Sequence, residues 1–181
     1  MHTPGPPSSA LSTPSPAVRA TEPLPPKAAA WLRLANEVAR AALQQGHHPF
    51  GAVLIAPDGA TVLLRQGNVD SVNHAEAVLA REAARLYPPE VLWGCTLVTT
   101  VEPCAMCAGT QYWAHIGRLV YGMSEAQLLQ LTGNHAGNPT LDLPCREVFA
   151  RGQKTLQVHG PVAEVQDEIA ALHRNFWRIA P

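Results

Sequence analysis

Charged side chains are scarce in this sequence. Asp, Glu, Lys and Arg make up 15% of the 181 residues, and the formal net charge is −1. Proteins that attract a phosphate backbone over long distances carry an excess of positive charge, usually as clustered Lys and Arg. The composition therefore weighs against a nucleic acid as the substrate, although it does not exclude a local basic patch.

Long apolar runs are also missing. No stretch approaches the roughly 18 apolar residues that a membrane-spanning helix needs. The first 26 residues are rich in Pro, Ser, Thr and Ala and lack the apolar core of a secretion signal. We therefore expect a disordered tail over residues 1–26, one folded domain over residues 27–181, and a soluble cytoplasmic protein with no membrane contact.

Cysteine is sparse, with only Cys95, Cys104, Cys107 and Cys145 in the chain. These four would suffice for two disulfides. However, a Cys-x-x-Cys pair accompanied by a His-x-Glu sequence is more typical of metal binding in a reducing compartment. We expect Cys95, in a strand-like run, and Cys145, at a helix start, to be small packing residues without a chemical role.

Hydrophobic periodicity alternates between helical and strand-like along the chain. Helices are predicted at residues 27–45, 75–86, 104–113, 125–131 and 161–177, and strands at 50–56, 61–64, 95–101, 118–121 and 154–158. A tight turn joins the first two strands into an antiparallel edge hairpin, whereas helical connections make the later strands parallel. The prediction is an α/β fold, a three-layer α/β/α sandwich around a five-stranded mixed sheet.

Two motifs carry the chemistry, His-Ala-Glu at residues 74–76 and Glu-Pro-Cys-Ala-Met-Cys at residues 102–107. His74, Cys104 and Cys107 are ligands of the kind that zinc takes when a fourth position is left for water. Each motif begins a predicted helix, where the helix dipole lowers thiol pKa values and helps to keep Glu76 ionised. Cys-x-x-Cys alone is equally compatible with structural zinc or a redox dithiol, but the upstream His-x-Glu favours a catalytic zinc site.

The two motifs resemble the signature of the cytidine deaminase superfamily of zinc-dependent nucleobase and nucleoside deaminases. The resemblance extends over about residues 49–122 and includes Pro-Phe-Gly-Ala-Val at 49–53 and Tyr-Trp-Ala at 112–114. The sequence is similar to both the guanine deaminase-like and the tRNA adenosine deaminase-like branches. The resemblance implies a cytidine deaminase-like fold, a Zn²⁺ cofactor, hydrolytic deamination and a homodimer.

The predicted catalytic residue is Glu76. Zinc at His74, Cys104 and Cys107 would lower the pKa of its bound water towards about 7. Glu76 would accept the released proton, carry it to a ring nitrogen of the substrate and then assist the departure of ammonia. Such a sequence of steps requires a substrate with an amidine-like unit, such as an amino-substituted nucleobase.

The predicted substrate contacts are Asn68, Phe50, Ala75 and Trp113. By resemblance, Asn68 matches an Asn that binds the base edge, although only five residues separate it from His74 and the loop at 67–73 is shortened. Asn73 competes for that role and is also a good helix N-cap. Phe50 is expected either to stack on the base or to fill the core, and Trp113 to line the pocket wall or a subunit contact, with the pocket favoured.

Four further histidines and one long loop have no assigned chemistry. His47, His48, His115 and His135 are expected at the surface. The Gly-, Asn- and Pro-rich loop at residues 132–144 is long for a compact domain, so it is expected to be either functional or mobile.

Three function classes are compatible with the motifs: a deaminase of a guanine-like or cytosine-like base or nucleoside, a tRNA adenosine deaminase that makes inosine in an anticodon, and an inactive zinc scaffold. Phe50 departs from the Pro-Val-Gly-Ala sequence associated with the tRNA branch, and the last helix is mixed in charge rather than basic. Both observations favour a small-molecule substrate. Similarity to the tRNA branch at residues 108–109 and 116–118 keeps the second class open, while the intact ligand set argues against the third.

Overall fold

The computed structural model describes residues 23–133 and 135–179, so most of the predicted tail lies outside the described residues. The elements are α1 (Ala28–Gln44), β1 (Gly51–Ile55), β2 (Val62–Gly67), α2 (Ala75–Leu86), α3 (Pro89–Trp93), β3 (Thr96–Val101), α4 (Ala105–Trp113), β4 (Arg118–Met123), α5 (Glu125–Thr132), α6 (Cys145–Ala150), β5 (Gln157–His159) and, after a 3-10 turn, α7 (Gln166–Ile179). The sequence does not predict α3, because its 5 residues are too few to show a helical period. None of the helices in the described ranges has the length and hydropathy needed to cross a membrane.

The five strands form one mixed sheet in the order β2-β1-β3-β4-β5. Strand β1 is antiparallel to both of its neighbours, whereas β3, β4 and β5 are parallel to one another. The structure therefore confirms the predicted antiparallel hairpin at the edge of the sheet and the predicted parallel arrangement of the last three strands. Because β1 alone runs the other way, the carboxyl ends of β2, β3 and β4 lie at one edge of the sheet, beside the start of β1.

Helices cover both faces of the sheet, and strand β1 shows how its residues divide between them. Its alternating side chains point to opposite faces. Ala52 and Leu54 join a core that includes residues of α2, α4 and α6, while Val53 and Ile55 join a second core that includes residues of α1 and α7. All residues of β1 are buried, and each large aliphatic side chain contributes about 1.5–3 kcal/mol by leaving water. The three-layer α/β/α sandwich is confirmed.

A close approach between α1 and β1 depends on Gly51. A Cβ atom at this position would collide with the backbone of Ala35 and Ala39 in α1. Any side chain would therefore push the helix away from the strand. Since Phe50 directly precedes Gly51, this contact also fixes where the chain enters the sheet at the edge formed by the carboxyl ends of β2, β3 and β4.

Candidate active site

The three predicted metal ligands come together at the edge of the sheet where β2, β3 and β4 end. Nδ1 of His74 lies 3.7 Å from Sγ of Cys104 and 3.6 Å from Sγ of Cys107. All three ligand atoms lie within 4.8 Å of one another. Zinc bonds of about 2.0–2.3 Å in a tetrahedron place ligand atoms about 3.6 Å apart, so this donor set fits zinc.

Two helix starts present these ligands. His74 is the N-cap of α2 and Cys104 is the N-cap of α4, both with extended backbone angles. Cys107 lies three residues beyond Cys104, almost one helical turn, and therefore points the same way. The other ring nitrogen of His74, Nε2, lies 3.1 Å from the carbonyl oxygen of Ser71, which orients the imidazole with Nδ1 towards the thiols.

The pKa values of the three ligand side chains are shifted in different directions. A hydrogen bond from the Cys107 thiol, reinforced by His74, lowers the pKa of the Cys104 thiol to about 4. The contact with Cys104, together with burial, raises the pKa of Cys107. Hydrogen bonding to Cys104 also raises the pKa of His74. Zinc binding must displace the proton held between the sulfur atoms, which makes metal uptake depend on pH.

Glu76 lies behind the ligands and is only 5% exposed. Its Oε1 accepts a hydrogen bond of 2.5 Å from the Thr99 hydroxyl, and its Oε2 lies 3.6 Å from Sγ of Cys107. We expected the start of α2 to favour the ionised form, but burial is the largest influence and raises the pKa of Glu76. A carboxylate with a raised pKa is better suited to accepting and returning a proton.

A cavity of about 160 Å³ opens onto these groups. The sheet edge supplies Phe50, Asn68, Val101 and Glu102 to its lining, and α5 supplies Glu125 and Leu128. The long loop supplies Gly137, Asn138 and Pro139. This loop is therefore part of the cavity wall, which agrees with the expectation that it is functional.

Asn68 has the burial and position expected of a side chain that hydrogen-bonds to a substrate. It follows the last residue of β2, which runs further than the sequence predicts, and it is 3% exposed. Its Nδ2 donates to the carbonyl oxygen of Asp70, at 3.1 Å, while its buried Oδ1 has no partner among the described residues. A buried amide oxygen without a partner is available to accept a hydrogen bond from a bound ligand.

Asn73 takes neither of the roles that the sequence allows it. It does not line the cavity, and His74 is the N-cap of α2 in its place. Its side-chain amide instead donates to Oδ2 of Asp70 at 2.8 Å. Asp70 also accepts from two backbone N–H groups of the same loop, so it organises the short connection between β2 and α2.

Phe50 lies where either of its alternative roles, stacking on a base or packing in the core, is sterically open to it. It lines the cavity, and its ring also packs against His173 and Trp177 of α7, at centroid distances of 5.1 and 6.4 Å. The expectation that His48 is exposed is wrong, because His48 lines the cavity and its ring lies 5.0 Å from that of Trp177. Burial lowers the pKa of His48, which keeps the ring neutral.

Trp113 and Ala75 do not reach the cavity with their side chains. Trp113, at the end of α4, is 76% exposed and lies outside the described lining, which supports the subunit-contact alternative over the pocket wall. Ala75 is buried at the first position of α2, between His74 and Glu76. Its backbone N–H is among the groups at a helix start that have no acceptor within the helix.

Three contributors to the site are not apparent from the sequence. Thr99 looks like an ordinary β-branched residue of a central strand, and Glu125 like an ordinary first-turn acid of a helix. Glu102 accepts from the backbone N–H groups of Glu125 and Cys145, at 3.3 and 3.0 Å, and so anchors the starts of α5 and α6. An acidic residue directly before the Pro-Cys sequence was the only available signal for this role.

Comparisons with known proteins agree with this geometry. The family model described as cytidine and deoxycytidylate deaminase zinc-binding region matches residues 25–123. A probable cytosine deaminase of Schizosaccharomyces pombe is 32% identical over 152 residues, covering 82% of this chain and 91% of that protein. A tRNA-specific adenosine deaminase of Buchnera aphidicola is 35% identical over 154 residues, covering 82% and 92%. The solved structure of a guanine deaminase from Nitrosomonas europaea has the same fold, with a TM-score of 0.63 at 22% identity over 86% of this chain and 94% of that chain.

Proposed function

The chain belongs to the cytidine and deoxycytidylate deaminase family of zinc-dependent hydrolases, and on this premise we propose that it deaminates a small guanine-like or cytosine-like nucleobase or nucleoside. In this proposal His74, Cys104 and Cys107 hold the zinc and Glu76 is the catalytic residue. The observation that carries the small-molecule assignment is the charge of the cavity wall. Its described lining includes Glu76, Glu102 and Glu125 but no Lys or Arg.

Bound zinc supplies a Lewis acid that lowers the pKa of a coordinated water to about 7. With zinc in place, Glu76 would be the residue that receives a proton from that water. Its Oε1 is occupied by the Thr99 hydroxyl. Its Oε2 contacts the Cys107 thiol, which as a metal ligand is deprotonated and no longer donates. Oε2 would therefore be the atom that carries one proton of the water to the ring nitrogen and the second proton to the amino group, which then leaves as ammonia.

Two features of the cavity wall and one group next to the zinc ligand His74 suit a flat heterocycle. Phe50 offers an aromatic face, and it is held in place by His173 and Trp177 behind it. The unpartnered Oδ1 of Asn68 offers an acceptor to a ring N–H or amino group. The backbone N–H of Ala75, beside the zinc ligand, offers a donor. An apolar slot with a few converging polar groups is typical of small-molecule sites.

The low density of positive charge argues against an RNA substrate. Single-stranded RNA is held by Lys and Arg along its phosphates as well as by stacking of its bases. Two of the arginines of α1 and α7 are instead committed to ion pairs within the protein: Arg33 with Glu164 and Glu168, and Arg174 with Asp167. A phosphate backbone that reached the described cavity would meet carboxylates there.

A tRNA adenosine deaminase is the second candidate. The specific observation in its favour is the 35% identity to a tRNA-specific adenosine deaminase along 82% of this chain. Its zinc ligands and proton carrier would be the same residues. The two candidates therefore differ only in what surrounds the reacting base. The third class, an inactive scaffold, is disfavoured by the closeness of the ligand atoms and by the buried Glu76 beside them.

We also propose a cytoplasmic homodimer. The four cysteines are free thiols, which fits a reducing compartment. Trp113 is 76% exposed on the helix that carries both zinc-binding cysteines. A large exposed aromatic side chain is a typical anchor of a protein interface. Packing of this end of α4 against a second copy would bury the Trp113 ring and place the two metal sites near the interface.

Ammonia release from a panel of substrates tests the proposed function. Zinc-loaded protein is incubated with guanine, cytosine, adenine, their nucleosides and an anticodon stem-loop, with Glu76→Gln as the matched inactive control. We expect turnover of at least one free base or nucleoside that is absent in the control. Turnover of the stem-loop alone would establish the second candidate. Turnover of nothing in the panel would contradict both.

A further inference from the structure

One acidic side chain of the cavity has no part in the steps described above. Glu125 is the first residue of α5 and lines the cavity with its side chain partly buried. Its carboxylate has no hydrogen-bond or ion-pair partner within residues 23–133 and 135–179. A charged group that is partly removed from water without a partner is costly, so such groups in native proteins often await a ligand.

The backbone around Glu125 is firmly held. Its N–H donates to Oε2 of Glu102 at 3.3 Å. The preceding residue, Ser124, forms a capping box with Gln127, in which the Ser124 hydroxyl accepts from the Gln127 N–H at 3.1 Å and the Gln127 side chain accepts from the Ser124 N–H at 2.9 Å. These contacts satisfy the start of α5 without using the Glu125 carboxylate. The side chain is therefore not needed as a helix cap.

The electrostatic surroundings of Glu125 favour a hydrogen-bond donor. Burial, followed by the negative charges of Cys104, Glu76 and Glu102, raises the pKa of Glu125 to about 7. A ligand N–H that approached the carboxylate would offset both effects. Among the described residues that line the cavity, no Lys or Arg is present to take this role.

The sheet topology places Glu125 across the cavity from Asn68. Asn68 follows β2 and Glu125 lies just beyond the end of β4, at the same edge of the sheet. Strands β1 and β3 lie between them. Three strand spacings amount to about 14 Å, so the two side chains flank a space that one heterocycle and its hydrogen bonds can bridge. Each side chain presents an oxygen acceptor with no partner in the described chain.

We propose that Glu125 is a specificity-determining residue whose carboxylate accepts a hydrogen bond from a ring N–H of the bound base, on the side away from Asn68. This inference rests on the proposed function and narrows it. A base held between two acceptors needs N–H donors at both edges. A free base retains a ring N–H where a nucleoside carries its sugar. The enzyme therefore prefers free bases over the corresponding nucleosides, and the preference depends on Glu125.

The test compares two variants with a matched control. Glu125→Gln removes the charge and keeps an acceptor, whereas Glu125→Met removes the acceptor at similar length. Glu37→Gln is the control, because Glu37 is exposed on α1 and outside the described cavity. For each zinc-loaded protein we would measure KM and kcat on the free base that the wild type deaminates, on the corresponding nucleoside, and on the same base methylated at its ring N–H. Calorimetry with the oxo product, which retains that N–H, gives a readout that needs no turnover.

A charge-assisted hydrogen bond of ordinary strength corresponds to a loss of roughly 10- to 100-fold in affinity when it is removed. We expect KM and the product Kd to rise by about this factor in Glu125→Met and by less in Glu125→Gln. We expect kcat, zinc content and melting temperature to stay near the Glu37→Gln values. The methylated base should bind the wild type weakly and should lose little further in the variants.

Four outcomes would overturn the proposal. These are an unchanged KM and Kd in Glu125→Met, a loss confined to kcat, an equal loss for the methylated base, or a loss larger for the nucleoside than for the base, which would assign the donor to a sugar hydroxyl. Failure of the proposed function would look different. In that case the wild type would release no ammonia from any base or nucleoside, and product binding by wild type and variant would still decide the role of Glu125.

Discussion

Replacing Thr99 by Val tests how the proton carrier is controlled. The Thr99 side chain is completely buried, and its hydroxyl donates at 2.5 Å to Oε1 of Glu76. Val has nearly the same shape, so the substitution removes the donor with little change in packing. This hydrogen bond lowers the pKa of Glu76, in opposition to burial, which raises it. Loss of the donor therefore raises the pKa further.

The size of the effect follows from the type of bond. A hydrogen bond to a charged group is worth about 1.5–3 kcal/mol. Because about 1.36 kcal/mol corresponds to a factor of ten, losing this bond disfavours the ionised form of Glu76 by roughly 10- to 100-fold and so raises its pKa. Because the ionised form is the base, the acid limb of the pH–rate profile moves to higher pH. At a pH below that limb, the rate falls by roughly 10- to 100-fold.

The assay is the pH dependence of kcat/KM for ammonia release, measured on zinc-loaded wild type, Thr99→Val and Thr99→Ser. The Ser variant keeps the hydroxyl and should restore most of the wild-type profile. Equal zinc content in all three proteins separates this effect from loss of metal. A Thr99→Val profile that superimposes on that of the wild type would refute the role assigned to Thr99, as would an acid limb displaced to lower pH.

Three further variants address the metal, the catalytic group and the interface. Glu76→Gln should retain about one zinc per chain by elemental analysis while losing turnover, and loss of the metal would make Glu76 a ligand instead. Cys107→Ser should lose most of its zinc and melt at a lower temperature, because zinc binding to the folded state contributes to stability, and unchanged metal content would contradict the assignment. Trp113→Glu should shift a dimer towards monomer in sedimentation experiments with zinc content unchanged, whereas an unaltered mass would place the interface elsewhere.

The metal ligands and the sheet could be predicted because their signals are local. His74, Cys104 and Cys107 belong to short motifs with fixed spacing, and helix starts after a loop or a proline present such groups together. The strands were readable from buried β-branched runs and from one clear hairpin. Strand β3 is an example, since its β-branched run indicates a central strand that is covered on both faces.

The remaining parts of the site depend on distant parts of the chain meeting in space. Thr99 of the central strand β3 contacts Glu76 of α2. The sequence of a β-branched strand does not show which of its threonines will lie beside a carboxylate. His48 became part of the cavity wall because Trp177, more than a hundred residues later, packs against its ring. The N-cap position that the sequence suggested for Asn73 is occupied by the adjacent His74, and the Asn73 side chain donates to Asp70 instead.

X-ray absorption at the zinc edge of the purified protein counts the ligand atoms around the metal and so shows whether these three residues form a zinc site. We expect about one zinc per chain with two sulfur neighbours at about 2.3 Å and two nitrogen or oxygen neighbours at about 2.0–2.1 Å. The Cys107→Ser variant should lose this signal. A shell of four sulfurs, a shell without sulfur, or the same two-sulfur shell in the variant would contradict a zinc site built from His74, Cys104 and Cys107.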